Sequence, residues 1–142
     1  LLARSELFGG LNYAQRNALA EQLQLERRAA GEMVLQQGEY GDSFYLIKHG
    51  EVEVLSAAPY GEPRLVSRLR GGDFFGEFAA LTGKPRNASI RTASASELLC
   101  LKGQEFQALL DGHPDIRERL LSYIAKREAE RVHRQTAGGR LL

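Results

Sequence analysis

A glycine followed by a glutamate, Gly76-Glu77, and a downstream arginine, Arg86, frame the stretch of this sequence best equipped for chemistry. Strand-forming residues end at Phe75. Glu77 to Leu81 favours helix for just over one turn, and Gly83 and Pro85 close that turn before Arg86 opens the next strand. A one-turn helix set into β-structure aims its first N–H groups at one point, which suits an anion. Gly76 lets the backbone come close to a ligand. The Arg86 guanidinium can donate a forked pair of charge-assisted hydrogen bonds to two oxygens of one phosphate. Glu77 is repelled by a phosphate, but its carboxylate is well used if it accepts from a ribose hydroxyl a short distance away. Anion cradle, arginine fork and ribose carboxylate together describe a nucleotide.

The elements that must hold these residues fall into three zones. Residues 1–28 read as helical, with Leu11, Ala14, Ala18 and Leu19 recurring at helical spacing up to about Leu25, and Gly9-Gly10 setting off a leading segment from Leu1 to Phe8. Residues 29–102 read as all β, because Gly31, Gly38, Gly41, Gly50, Gly61 and Gly71-Gly72 punctuate short runs rich in Val, Leu, Ile, Phe and Tyr. Alternation places Val52 and Val54 inward, Leu65, Ser67 and Leu69 on one strand face, and Ala88, Ile90 and Thr92 on another. Leu98 to Leu101 is a short apolar run of the kind buried on both faces. Residues 103–136 return to helix: Gln104 to Leu110 makes a short one, Gly112 and Pro114 stop it, and Asp115 can cap a longer one from Ile116 to about Arg134. The expected fold is α+β, a jelly-roll-like antiparallel β-barrel flanked by N-terminal helices and two C-terminal helices, all in a single domain of residues 1–142.

Phe75-Gly76-Glu77, a small or aliphatic stretch, and Arg86-Asn87-Ala88-Ser89 resemble the phosphate-binding cassette of the cyclic nucleotide-binding domains, here residues 75–89. Those domains serve cAMP- and cGMP-gated channels, protein kinase regulatory subunits and the bacterial catabolite activator protein. Leu7-Phe8, Gly31-Glu32, Gly38 with Gly41-Asp42, Tyr45-Leu46-Ile47 to Gly50, and His113-Pro114 fit the same family's pattern, so the resemblance covers nearly the whole chain. It implies that cAMP or cGMP is the ligand, with no metal. Glu77 would bind the ribose 2′-hydroxyl. Arg86 would bind the cyclic phosphate, helped by backbone groups from Gly76 through Phe78 to Ala79, with Asn87 and Ala88 completing the cassette. Val54 and Leu69 would line the wall beside the base. Asn87 stands where cGMP-preferring members often carry Thr, and its amide decides nothing about the purine.

The last helix is expected to carry the signal. Ile116, Leu120 and Arg127 fall at nearly one angle of its wheel, flanked by Tyr123 and Ile124. In channel members an arginine of this helix can meet the purine, and an ungapped count from Arg86 puts that position at Arg127. Arg127 reads slightly better as a snorkelling side chain on a solvated helix end than as a base contact. The expectation is a helix loosely held without nucleotide that docks over the pocket with it. Its charged tail, Lys126 to Arg134, would face an effector domain, fused or neighbouring, such as an ion channel. A homo-oligomer in the full-length protein suits the same plan.

Composition narrows the other readings. Nineteen Lys and Arg against eighteen Asp and Glu give a net charge of +1, which argues against capture of a nucleic acid polymer or direct membrane insertion. No apolar run approaches the roughly 20 residues that span a bilayer. The lone cysteine, Cys100, reads as buried packing and points to a reducing, cytoplasmic setting, including the cytosolic part of a membrane protein. His49, His113 and His133 are scattered, and there is neither a P-loop nor a nucleophile elbow, so an enzyme is not expected. The chain begins without Met and is expected to be a piece of a longer protein. The competing reading is a scaffold or dimerisation module that keeps the fold but signals through protein contacts alone.

Overall fold

The computed structural model describes residues 7–59 and 61–140, with side chains described as far as Arg127. Most of the leading segment from Leu1, and the side chains of the charged tail beyond Arg127, lie outside the described residues. Helix α1 (Tyr13–Gln22) opens on a capping box, in which Asn12 accepts from the Gln15 N–H and the Gln15 side chain accepts from the Asn12 N–H. The helical zone ends at Gln22, not at residue 28. Gln24–Arg28 forms strand β1, because its backbone pairs in register with β8 (Ser96–Leu101) although its own side chains are largely polar. Tertiary pairing overrides local preference there.

Among the described residues, eight strands form two antiparallel four-stranded sheets rather than one closed barrel, a jelly-roll-like arrangement. The first sheet runs β1-β8-β3-β6, with β3 at Phe44–His49 and β6 at Phe74–Phe75. The second runs β2-β7-β4-β5, with β2 at Met33–Leu35, β4 at Glu51–Ser56, β5 at Arg64–Arg70 and β7 at Ser89–Thr92. Two cores result. Tyr45, Ile47, Phe75, Leu98 and Cys100 of the first sheet meet Val52, Leu69 and Ile90 of the second. On the other face of the first sheet, Phe44, Leu46, Phe74 and Leu101 pack against the helices. A strand buried on both faces needs an unbroken apolar run, and Phe44 to Ile47 is such a run.

The Leu65–Ser67–Leu69 stripe does not survive intact. Ser67 pairs with Val54 while Leu65 pairs with the next residue, Leu55, so Val66 is an extra residue on β5. This bulge turns Leu65 outward to 47% exposure and leaves Leu69 inside. The C-terminal layer is longer than expected. Helix α3 spans Gly103–Gly112 and α4 spans Pro114–Arg140, past residue 136. Pro114 begins α4 instead of merely ending α3, as suits a residue with no N–H to lose in a first turn, and Asp115 sits inside that turn. Ile116 and Leu120 are fully buried, with Tyr123 and Ile124 half-buried against the same core.

Candidate functional site

Strand β6 feeds the site. At Gly76 the chain adopts a left-handed conformation, φ 84°, and turns at once into the one-turn helix α2 (Glu77–Thr82). A second left-handed glycine, Gly83 at φ 73°, stops α2, and its N–H donates to the Ala79 carbonyl. Arg86 does not open a strand, since β7 begins only at Ser89. It lies in the loop, where its N–H donates to the Glu39 carbonyl and its own carbonyl accepts from the Gly38 N–H. The turn before β3 therefore clamps the backbone on which the arginine sits.

The side chain is held equally firmly. Arg86 Nη1 donates to the carbonyls of Ser43 (3.1 Å) and Gly76 (3.2 Å), and the residue is only 6% exposed. Burial pulls the guanidinium below its ordinary pKa, and the nearby Tyr45 and Asp42 push it back up. An arginine has ample reserve and stays charged. Glu77 is 5% exposed, and its Oε1 accepts from Arg127 Nη1 at 2.8 Å. Arg127 in turn lies over the ring of Tyr123, 4.3 Å from its centroid, and more distantly over Phe74.

Val54, Gly76, Glu77, Phe78, Ala79, Arg86, Asn87, Ala88 and Arg127 all line one cavity. Leu69 does not. It pairs with Val52 in the inter-sheet core, further along the strand than Ser67, the partner of Val54. Alternation predicts its inward face, and only the resemblance implies a place beside the base. The remaining walls, which sequence reasoning missed, are Leu35 of β2, Phe75 of β6, Ile90 of β7 and Ile124 of α4. Also missed was the seat of the arginine in Ser43 and Glu39. Its trace in the sequence was Gly41, where a Cβ would stand 3.2 Å from Arg86 Nη2. Among the described residues no cluster of His, Cys, Asp and Glu could hold a metal ion. None of the described helices is long and apolar enough to cross a membrane.

Gly76 is the least replaceable residue of the turn. A Cβ there would fall 2.8 Å from the Ser43 carbonyl oxygen and 3.2 Å from Arg86 Nη1, on a backbone that L side chains rarely adopt. Gly76→Ala is expected to lower stability by about 1–3 kcal/mol, read as a shifted urea midpoint with unchanged slope. An unshifted midpoint would mean that the turn relaxes freely.

Comparison with known proteins agrees with this construction. The cyclic nucleotide-binding domain family matches residues 25–113, more than half of the chain. A cAMP-dependent protein kinase regulatory subunit of Blastocladiella emersonii is 34% identical over 80% of this chain and 28% of its own length. A potassium channel protein of Rhodopseudomonas palustris is 30% identical over 96% of this chain and 33% of its own. The catabolite activator protein of Thermus thermophilus superposes with a TM-score of 0.83 at 27% identity, over 95% of this chain and 63% of that one. The chain thus spans about a third or less of the two curated relatives. The glycine turn, the buried glutamate and the clamped arginine on one cavity lie inside the matched segment, and the chain belongs to the cyclic nucleotide-binding domain family.

Proposed function

We propose that this domain is a sensor that binds a purine cyclic nucleotide, cAMP in the first place, and passes the event through α4 to an effector. The observation that carries the reading is the convergence of Glu77 and Arg86 on one cavity, separated by a glycine turn. A phosphate needs the second and a ribose hydroxyl the first. Glu77 is the ribose acceptor, Arg86 the phosphate donor, and Gly76 to Ala79 the backbone cradle. Val54, with Asn87 and Ala88 nearby, walls the base. The similarity to a cAMP-dependent kinase subunit favours cAMP. A channel effector is favoured by the potassium channel relative, which matches nearly the whole chain. The domain works on the cytoplasmic side, as a regulatory module and not as a catalyst, and its full-length form assembles as a homo-oligomer.

Calorimetric titration of the chain with cAMP and with cGMP tests the reading. Saturable binding of one nucleotide per chain is expected, and the ratio of the two affinities gives the purine preference. Absence of binding by both would leave a scaffold that signals through protein contacts.

A further inference from the structure

Strand β4 loses one neighbour before it ends. Its ladder with β7 pairs Val54 with Ile90 and Leu55 with Ser89, and the same register continued would set Asn87 opposite Ala57. Strand β7 begins only at Ser89, however, and Asn87 and Ala88 just before it line the cavity. The side chain of Gln37 stands in for the strand. Its Nε2 donates to the Ala57 carbonyl at 2.9 Å, and its Oε1 accepts from the Ala57 N–H at 2.8 Å. A side-chain amide offers a donor and an acceptor side by side, as the backbone of a strand does. The backbone of the same turn grips the other side of the site. The Gln37 N–H donates to Ser89 Oγ at 2.9 Å, the Gly38 N–H donates to the Arg86 carbonyl, and the Glu39 carbonyl accepts from the Arg86 N–H. Residues 37–39 thus hold the arginine loop through main-chain atoms and the end of β4 through one side chain.

We propose that Gln37 is a positioning residue: by tying Ala57 to the turn that seats Arg86, it fixes the wall at Val54 relative to the phosphate site and so sets how well the purine fits. The inference rests on Arg86 being the phosphate donor and Val54 the base wall, as argued above. Gln37 is not among the residues that line the cavity, and it acts through Ala57. Replacing its side chain leaves the main-chain bonds to Arg86 and Ser89 in place. The phosphate seat is kept and the base wall is freed. cAMP and cGMP share the ribose and the cyclic phosphate and differ only in the base. A disturbed seat therefore costs both alike, whereas a displaced wall changes the ratio of their affinities.

The test is calorimetric titration of wild type, Gln37→Ala and Gln37→Met with cAMP and with cGMP, beside urea unfolding and amide exchange at Ala57. Methionine fills the space of glutamine without the paired hydrogen bonds, so Gln37→Met decides should Gln37→Ala not fold. Both variants are expected to bind cAMP about tenfold more weakly, the worth of two ordinary hydrogen bonds, with the cAMP to cGMP affinity ratio changed by about threefold or more. Exchange of the Ala57 N–H should quicken in both. Equal weakening for the two nucleotides, wild-type binding by Gln37→Met, or unaltered exchange at Ala57 overturns the positioning role. If the wild type binds neither nucleotide, the sensor reading itself falls, and the role of Gln37 with it.

Discussion

Arg86→Ala is expected to weaken cAMP binding by about 30- to 1,000-fold in calorimetry, the loss of a desolvated charge-assisted contact of about 2–4 kcal/mol. Two features put the effect at the upper end. The guanidinium is almost wholly buried, so water replaces little of what it gives a phosphate. It is also immobilised by the Ser43 and Gly76 carbonyls, so little ordering remains to be done on binding. The same bonds mean that alanine also takes the guanidinium from the Ser43 carbonyl and leaves the Gly76 carbonyl only the Ala80 N–H, and the variant should melt earlier. Arg86→Lys separates the two effects. A lysine keeps the charge and can reach one carbonyl, but it cannot fork, so stability should recover while binding stays at least about tenfold weaker. Full binding by the lysine variant would show that charge alone is recognised and that the fork is irrelevant.

Phe44→Ala is expected to destabilise the domain by about 3–5 kcal/mol, the usual range for deleting a buried aromatic ring. Phe44 is 0% exposed and is the hub of an aromatic cluster. Its ring stacks on Phe106 of α3 with centroids 4.7 Å apart, meets Phe74 at 5.6 Å, and takes the edge of Phe8 at 5.9 Å. The cavity would open between a sheet and a layer of separate helices. Either the helices collapse into it and shift, or the void persists. A midpoint shift under about 1 kcal/mol in urea unfolding would show that the helical layer closes the gap freely.

What could be read before the fold was known follows a physical boundary. Gly76, Glu77 and Arg86 were legible because their function depends on residue type and on separation within one short loop. The inward side of Val52, Val54 and Ile90 was legible because strand periodicity is local. Leu69 keeps the inward face that alternation predicts, but the place beside the base that the resemblance implies depends on how far along β5 the cavity reaches, and Leu69 stands beyond it. Leu65 was lost to a bulge that depends on how β5 matches β4, and β1 was lost because only its partner β8 makes Gln24–Arg28 a strand. The contact of Arg127 with Glu77 joins α2 to a helix distant in sequence. Arg127 was found by counting, but its carboxylate partner depends on how two layers pack, which no sequence spacing encodes.

The shortest strand of the fold has a consequence out of proportion to its length. Phe74 and Phe75 are neighbours in β6, yet they belong to different cores. Phe75 stacks on Tyr45 and walls the nucleotide cavity, whereas Phe74 seats Tyr123 of α4. A single peptide bond thus separates the wall of the cavity from the seat of α4. Packed interiors transmit strain instead of absorbing it. A substitution that reshapes one ring's surroundings will be felt by the other, so the shape of the cavity and the seating of α4 are set through the same two side chains.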